Sequence, residues 1–206
     1  MAIDYNGAAL LLLAKRRGVS LGRVLMLGRQ ELYLDERKVA ALERQFSVSL
    51  SQFVSTDDGS NCFAEPLLSF LGAETISSMD FVDYEGSSIC HDLNDPILEK
   101  WKGQFDTVID GGTLEHVFDF PQAIRNVMEL LAPGGYFIGG NPADNWLGHG
   151  FYQFSPELYF RVFTEENGFK LSELLLTEPH VGGRIFKVKD PAETGRRVSF
   201  SDSLVL

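Results

Sequence analysis

The stretch from residue 105 to residue 140, FDTVIDGGTLEHVFDFPQAIRNVMELLAPGGYFIGG, decides the fold. An apolar run at 107–109 predicts a buried strand, and Asp110 and two glycines follow it. Apolar residues then recur with helical spacing at Ile124, Val127, Met128, Leu130 and Leu131. Pro133-Gly134-Gly135 predicts the end of that helix, and 136–138 predicts a second buried strand. A strand–helix–strand unit predicts a parallel sheet with its ligand site at the carboxyl ends of the strands.

The same stretch resembles the fourth strand, the following helix and the fifth strand of class I S-adenosylmethionine (SAM) dependent methyltransferases. The resemblance is carried by Asp110 at the strand end, by Leu114-Glu115-His116, and by Leu131-Ala132-Pro133-Gly134-Gly135. It implies an α/β, doubly wound, Rossmann-like methyltransferase fold. In that fold the sheet is mostly parallel and seven-stranded, and an antiparallel C-terminal hairpin closes it.

The length of the chain and its net charge limit the number of domains and the kinds of partner that can be predicted. The 206 residues predict a single methyltransferase-like domain, with an N-terminal helix in 1–18 and a C-terminal tail at 190–206. A net charge of −11 and a pI of about 4.8 argue against nucleic acid as a partner, because an acidic surface repels phosphate. The oligomeric state stays open, with a homo-oligomer among the alternatives.

Two cysteines and one short apolar run indicate the compartment. Cys62 and Cys90 have no metal-ligand spacing, and we expect reduced thiols in a cytoplasmic protein, with Cys90 as a small buried side chain. The apolar run at 8–14 is too short to cross a bilayer and precedes its basic residues, so neither a membrane partner nor a signal peptide is predicted.

The rest of the chain predicts further elements on either side of the deciding stretch. Helices are predicted at 4–17, 34–46, 64–71 and from Ser155 to Gly168. Strands are predicted at 22–28, 75–79, 87–91, 169–177 and 184–188, and the last two are predicted to form a hairpin. Residues 47–60 are predicted to form a loop.

The predicted cofactor site departs from the family at its first turn. A SAM-binding domain has a glycine-rich turn of the form GxGxG after the first strand, whereas here Gly28 is followed by Arg29 and Gln30. The resemblance implies that acids at later strand ends bind the ribose and the adenine. The full set implied for the cofactor is Gly28, Arg29, Gln30, Asp80, Phe81, Asp92, Leu93, Asp110 and Gly111.

The acceptor side is predicted in the loop after the fifth strand. Residues 141–154 are rich in glycine, aromatic and hydrogen-bonding side chains and follow a sheet strand directly. His149 in that loop and His116 in the loop after the fourth strand are candidate bases for a hydroxyl acceptor, and Tyr152 is a candidate contact. The alternative for each is a bracing role within its own loop.

Other chemistries have weaker support in the sequence. No Ser-His-Asp order, phosphate-binding loop or HExxH motif occurs. His91, Asp92, Glu115, His116 and His149 carry metal-ligating atoms, but their spacing fits no standard motif, so no metal is predicted.

Two functions therefore compete. The first is a SAM-dependent methyltransferase acting on a small-molecule or sugar-like acceptor. The second is a noncatalytic methyltransferase-fold protein that no longer binds SAM and serves as a binding or assembly module, because Arg29 and Gln30 could fill the space for the methionine. A NAD-dependent enzyme is a distant third, since it too would need the missing glycines.

Overall fold

The structure is a computed structural model and describes residues 2–55 and 63–196. Its helices are α1 Tyr5–Arg16, α2 Glu36–Phe46, α3 Glu65–Phe70, α4 Phe120–Leu130, α5 Pro156–Val162 and α6 Pro191–Thr194. Its strands are β1 Ala2–Ile3, β2 Gly22–Leu27, β3 Glu31–Leu32, β4 Ala73–Asp80, β5 Ile89–Cys90, β6 Phe105–Asp110, β7 Leu131–Gly139, β8 Leu175–Thr177 and β9 Ile185–Lys187.

The central sheet is parallel throughout, with strand order β5-β4-β2-β6-β7. Counted from the first strand of this sheet, the order is 3-2-1-4-5, which is that of a doubly wound fold. The predicted fold class is confirmed. The strand number is corrected, because β8 and β9 pair antiparallel as a separate sheet and the described central sheet has five strands, not seven.

Alternate residues of β2 explain the layers on either side of this sheet. Val24 and Met26 belong to a core shared with α1, α2 and α3, while Leu25 and Leu27 belong to a second core shared with α4. Successive side chains of a strand point to opposite faces, so a strand that is apolar at every position is covered on both. The carboxyl edge of the sheet is left for the loops.

Short polar side chains cap the first turn of four helices. The side chains of Asp4, Asp35, Asp119 and Ser155 each accept a backbone N–H from the first turn of the following helix. Such caps satisfy amide groups that the helix itself leaves unpaired. The predicted helices at 4–17, 34–46 and 64–71 are confirmed as α1, α2 and α3, within a residue or two at each end.

Three boundaries differ from the prediction. The strand predicted at 169–177 begins only at Leu175, as β8. Helix α5 ends at Val162, and a separate 3₁₀ turn, Glu165–Asn167, precedes Gly168. Strand β7 begins at Leu131, so it contains the Pro-Gly-Gly turn that was expected to separate helix from strand. The register with β6 shifts at this point, so the turn forms an irregularity within the strand.

Three other expectations concern Cys90, the predicted tail and the predicted loop at 47–60. Cys90 is exposed, not buried, because β5 is the outermost strand of the sheet. The predicted tail begins with the short helix α6, which Asp190 caps, while 197–206 lies outside the described residues. In the predicted loop at 47–60, Ser51–Phe53 forms a 3₁₀ turn, and 56–62, including Cys62, is not described.

Across the described residues, every helix is too short or too polar to cross a membrane.

Candidate functional site

Asp110 ends β6 at the centre of the carboxyl edge, and its side chain is 2% exposed. One carboxylate oxygen, Oδ1, accepts the backbone N–H of Thr113 at 2.7 Å, which turns the chain away from the strand. The other oxygen, Oδ2, accepts an N–H from the Asn141 side chain at 2.6 Å. The ends of β6 and β7 are therefore joined through a buried acid.

Glu115 is a second buried acid at the same edge, and it is 1% exposed. The Asn141 Nδ2 group that binds Asp110 also donates to Glu115 Oε2 at 3.0 Å. Asn141 Oδ1 in turn accepts the hydroxyl of Tyr159, from α5, at 2.8 Å. One amide thus bridges two buried carboxyl groups, and the helix after the loop orients that amide.

Burial makes the Asp110 carboxyl unusually basic. Loss of hydration raises its pKa to about 7; the Asn141 hydrogen bond opposes this change, and the nearby Glu115 adds to it. Burial, together with the charges of both acids, raises the pKa of the Tyr159 hydroxyl, which keeps it a hydrogen-bond donor. Near neutral pH the Asp110 carboxyl therefore lies close to half protonation.

The aromatic loop after β7 is anchored to the backbone of Glu115. The Glu115 carbonyl accepts the N–H of Phe151 at 2.7 Å and that of Tyr152 at 3.2 Å. A Cβ added at Gly150 would lie 2.7 Å from the same carbonyl oxygen, so only glycine allows this close approach. Two loops that are far apart in the chain are therefore held together at one point.

This anchoring brings the two predicted catalytic histidines together. The ring centroids of His116 and His149 are 4.8 Å apart, and His149 Nε2 lies 3.6 Å from Glu115 Oε1. His116 is exposed, and the His149 side chain is 41% exposed, so both rings are open to solvent. The third predicted residue, Tyr152, donates its hydroxyl to the Phe118 carbonyl at 2.6 Å, which is a bracing contact.

In the turn that follows β2, which is the first turn of the predicted cofactor site, the side chain of Gln30 fills the available space. Gln30 is completely buried, and its Nε2 donates to the carbonyl of Leu27. A Cβ at Gly111 would collide with the Gln30 amide, and among the described residues Gln30 Oε1 has no hydrogen-bond donor. The backbone of Ala2 also reaches this point, since its N–H donates to the Gly111 carbonyl at 3.3 Å.

Arg29 is fixed over the outside of the same turn. Its Nε lies 2.7 Å from Glu65 Oε1, and its Nη1 donates to the Glu85 carbonyl at 2.7 Å. The guanidinium also stacks on Phe63, with its carbon 3.7 Å from the ring centroid. Gly28, Arg29, Gln30 and Gly111 thus form a tightly packed turn.

The acids at the ends of the outer strands are more open. Asp80 is partly exposed at the end of β4, and its Oδ1 accepts the N–H of Phe81, whose ring is 68% exposed. Asp92 is also partly exposed; its Oδ1 accepts from the backbone and side chain of Asn94, and Leu93 beside it is buried. The ends of β4 and β5 therefore offer two partly exposed carboxylates and the exposed Phe81 ring, whereas Gln30 and the backbone of Ala2 fill the space beside the turn after β2.

A cleft of about 1880 Å³ lies on the opposite side of Asp110. It runs along the edge of β7 that has no partner strand among the described residues, between α1 and the β8–β9 hairpin. Asp110, Gly111, His116 and His149 line it, whereas Tyr152 and the other predicted cofactor residues do not. The histidine pair thus faces a large open space.

Sequence reasoning missed Asn126, Asn141 and Tyr159. Asn126 is fully buried in α4; its Nδ2 donates to the carbonyls of Leu93 and Asp95, and its Oδ1 accepts the N–H of Ile97. A polar residue within the apolar stripe of a helix was the one available signal, since such a group must find partners when buried. The partners of Asn141 and Tyr159 come from separate elements, so neither had a local signal.

Three of the five residues with metal-ligating atoms, for which the sequence predicted no metal, lie close together in the structure. Ligand atoms of Glu115, His116 and His149 lie within 4.8 Å of one another. His91 belongs elsewhere, because its ring packs against Trp101 and its Nε2 lies 3.2 Å from the Asp95 carbonyl.

Comparison with known proteins finds similarity to one family over part of the chain. Residues 76–139, from β4 to the end of β7, match the family described as "Methyltransferase domain". The resemblance to methyltransferases is confirmed for this segment, which includes the carboxyl ends of β4, β5, β6 and β7. No curated protein sequence is significantly similar to the chain.

Among solved structures, one similar chain is described as "trans-methyltransferase CalH complex with SAH". It has 16% sequence identity and a TM-score of 0.35, and the alignment covers 66% of the present chain and 37% of that chain. The present chain thus corresponds to little more than a third of that protein. A likeness this remote establishes neither a shared fold nor a shared ligand.

Proposed function

We propose that this chain is a SAM-dependent methyltransferase, built as a single methyltransferase-like domain, that acts on a small-molecule or sugar-like acceptor. One observation carries the proposal: the methyltransferase match spans β4 to β7, the segment that supplies the acids of the carboxyl edge. Ligands of doubly wound sheets bind at this edge. The remaining assignments follow from where each side chain lies along it.

The cofactor side is proposed at the ends of β2, β4 and β5. Asp80 would bind the ribose hydroxyls and Asp92 the adenine amino group, since both carboxylates are partly exposed, and the exposed ring of Phe81 would flank the nucleoside. Leu93 is buried and would support the adenine site from beneath. Gly28 has a φ of +68°, which glycine adopts without strain, so it permits the sharp turn that follows β2. The cofactor supplies the methyl group on a sulfonium, and the protein has to orient the acceptor in line with it.

The acceptor side is proposed along the cleft beside β7. His116 and His149 face this space, and Asn145 and Asp144 add hydrogen-bonding groups to its wall, which suits a hydroxyl-bearing acceptor. An imidazole placed here can take the proton that a hydroxyl loses on methylation. Tyr152 supports the loop that carries His149.

Titration with S-adenosylhomocysteine (SAH), followed by calorimetry, tests the cofactor assignment. We expect micromolar affinity, equivalent to about −8 kcal/mol, and at least a tenfold loss in Asp80→Asn. Asp83→Asn is the matched control, because Asp83 is an exposed acid three residues further along the chain. Equal affinity of the two variants would refute the role of Asp80.

A second function is favoured by the packing of Gln30. Its buried side chain fills the turn where the family has glycine, as a noncatalytic binding or assembly module would allow. In that case the parent protein does not bind SAH, and the Arg29→Gly/Gln30→Gly double variant gains affinity. Absence of SAH binding in the parent refutes the methyltransferase proposal, and a double variant that gains no affinity refutes the blocking role of Gln30.

A further inference from the structure

Three side chains with metal-ligating atoms converge where the loop after β6 meets the loop after β7. We propose that Glu115, His116 and His149 form a binding site for one divalent transition-metal cation of the zinc type. Two residues are neighbours in the chain, and the third comes from a loop that two backbone hydrogen bonds hold against Glu115. The site thus exists only in the folded protein.

The distances suit a cation after a small adjustment. Metal–ligand bonds of roughly 2.0–2.2 Å place the ligand atoms of a tetrahedral zinc about 3.4 Å apart. His149 Nε2 and Glu115 Oε1 are 3.6 Å apart, and the whole set lies within 4.8 Å. His116 is exposed, so rotation of its ring can close the remaining gap without repacking the core.

The negative charge of the buried acids at the site also favours binding of a cation. Glu115 and Asp110 are both buried, they share a single amide donor, and in the described residues neither forms an ion pair with lysine or arginine. Burying carboxylates is costly unless their charge is compensated. A divalent cation on Glu115 Oε1 would provide that compensation.

Groups outside the triad hold Glu115 in place for this role. Its second oxygen, Oε2, accepts from Asn141, and Asn141 accepts from Tyr159, so Oε1 is the oxygen left for the cation. Such outer hydrogen bonds fix the orientation of ligating side chains in metal sites. The Phe151 N–H fixes the backbone of the same residue.

The ligand set indicates the kind of metal. Two imidazoles and one carboxylate suit zinc or iron, whereas magnesium and calcium prefer oxygen ligands alone. Three protein ligands leave a coordination position open, and all three residues line the cleft beside β7. That this position would take an acceptor hydroxyl rests on the proposed function, and a metal there would replace the free imidazole as the group that promotes loss of the hydroxyl proton. Cation binding itself does not rest on the proposed function.

Direct metal titration tests the site without cofactor or acceptor. The full chain, carrying Cys62→Ser and Cys90→Ser to remove thiol ligands, is stripped with a chelator, desalted and titrated calorimetrically with Zn²⁺. Co²⁺ replaces Zn²⁺ in a parallel titration, because its visible absorption reports the coordination. We expect one equivalent to bind and the dissociation constant to rise at least tenfold in His116→Ala and in His149→Ala.

His180→Ala is the matched control. His180 is exposed and its Nε2 lies 3.8 Å from Glu178, so it offers the same kind of pair without a second histidine. We expect this variant to bind Zn²⁺ as the parent does. The proposal is overturned if the parent binds no Zn²⁺, or if the two site variants bind it as tightly as His180→Ala does. SAH titration of the same proteins shows separately whether the cofactor assignment fails.

Discussion

The stability of this protein should fall as the pH rises through neutrality, because of Asp110. Burial raises the pKa of this carboxyl from 3.8 to about 7 in the folded state. Between these two values the folded protein keeps a proton that the unfolded chain has released. The stabilisation is complete below pH 4 and is lost as the pH passes the folded pKa.

The size of the effect follows from the two pKa values. At about pH 5.5 the folded carboxyl is almost fully protonated while the unfolded one is ionised, and at about pH 8 both are ionised. Linkage then predicts a loss of about 2 kcal/mol in the free energy of unfolding between these conditions. With an m-value of about 2 kcal/mol per molar urea, the unfolding midpoint falls by about 1 M.

Urea unfolding at the two pH values, with matched variants, isolates this carboxyl. In Asp110→Asn the side chain stays neutral, so we expect its share of the pH dependence to vanish. Asp144→Asn removes the same charge from an exposed site and should keep the parental slope. Equal slopes in the parent and in Asp110→Asn, or a parent that gains stability towards pH 8, would refute the reasoning.

Two further predictions concern the packing of the loops. Asn126→Ala should lower the free energy of unfolding by about 3 kcal/mol, measured in urea, because several buried hydrogen bonds lose their partner; a loss below about 1 kcal/mol would contradict this. Gly150→Ala should speed hydrogen exchange in the loop 141–154, because its Cβ collides with the Glu115 carbonyl oxygen. Gly148→Ala imposes a similar backbone strain in open space, so comparable exchange rates in both variants would count against a docked loop.

Local patterns were enough to predict most of the fold. The apolar strands around β6 and β7 and the amphipathic α4 predicted a parallel sheet, because periodicity depends on neighbouring residues alone. The doubly wound arrangement was what the resemblance to methyltransferases implied. The family match over 76–139 and the observed strand order agree with that prediction. The detached hairpin and the exposed Cys90 were missed, because strand pairing and edge position depend on residues far apart in the chain.

For the candidate site, the sequence determined which chemical groups are available: histidines, acids and a turn with a single glycine. Only the tertiary structure decided how they combine. In the folded protein Gln30 is buried in the turn after β2, and Glu115 and Asp110 accept hydrogen bonds from the same Asn141 amide. His149 Nε2 lies 3.6 Å from Glu115 Oε1. The physical reason is that hydrogen bonds and charge depend on distance and burial, and both are set by the packing of loops from different strands.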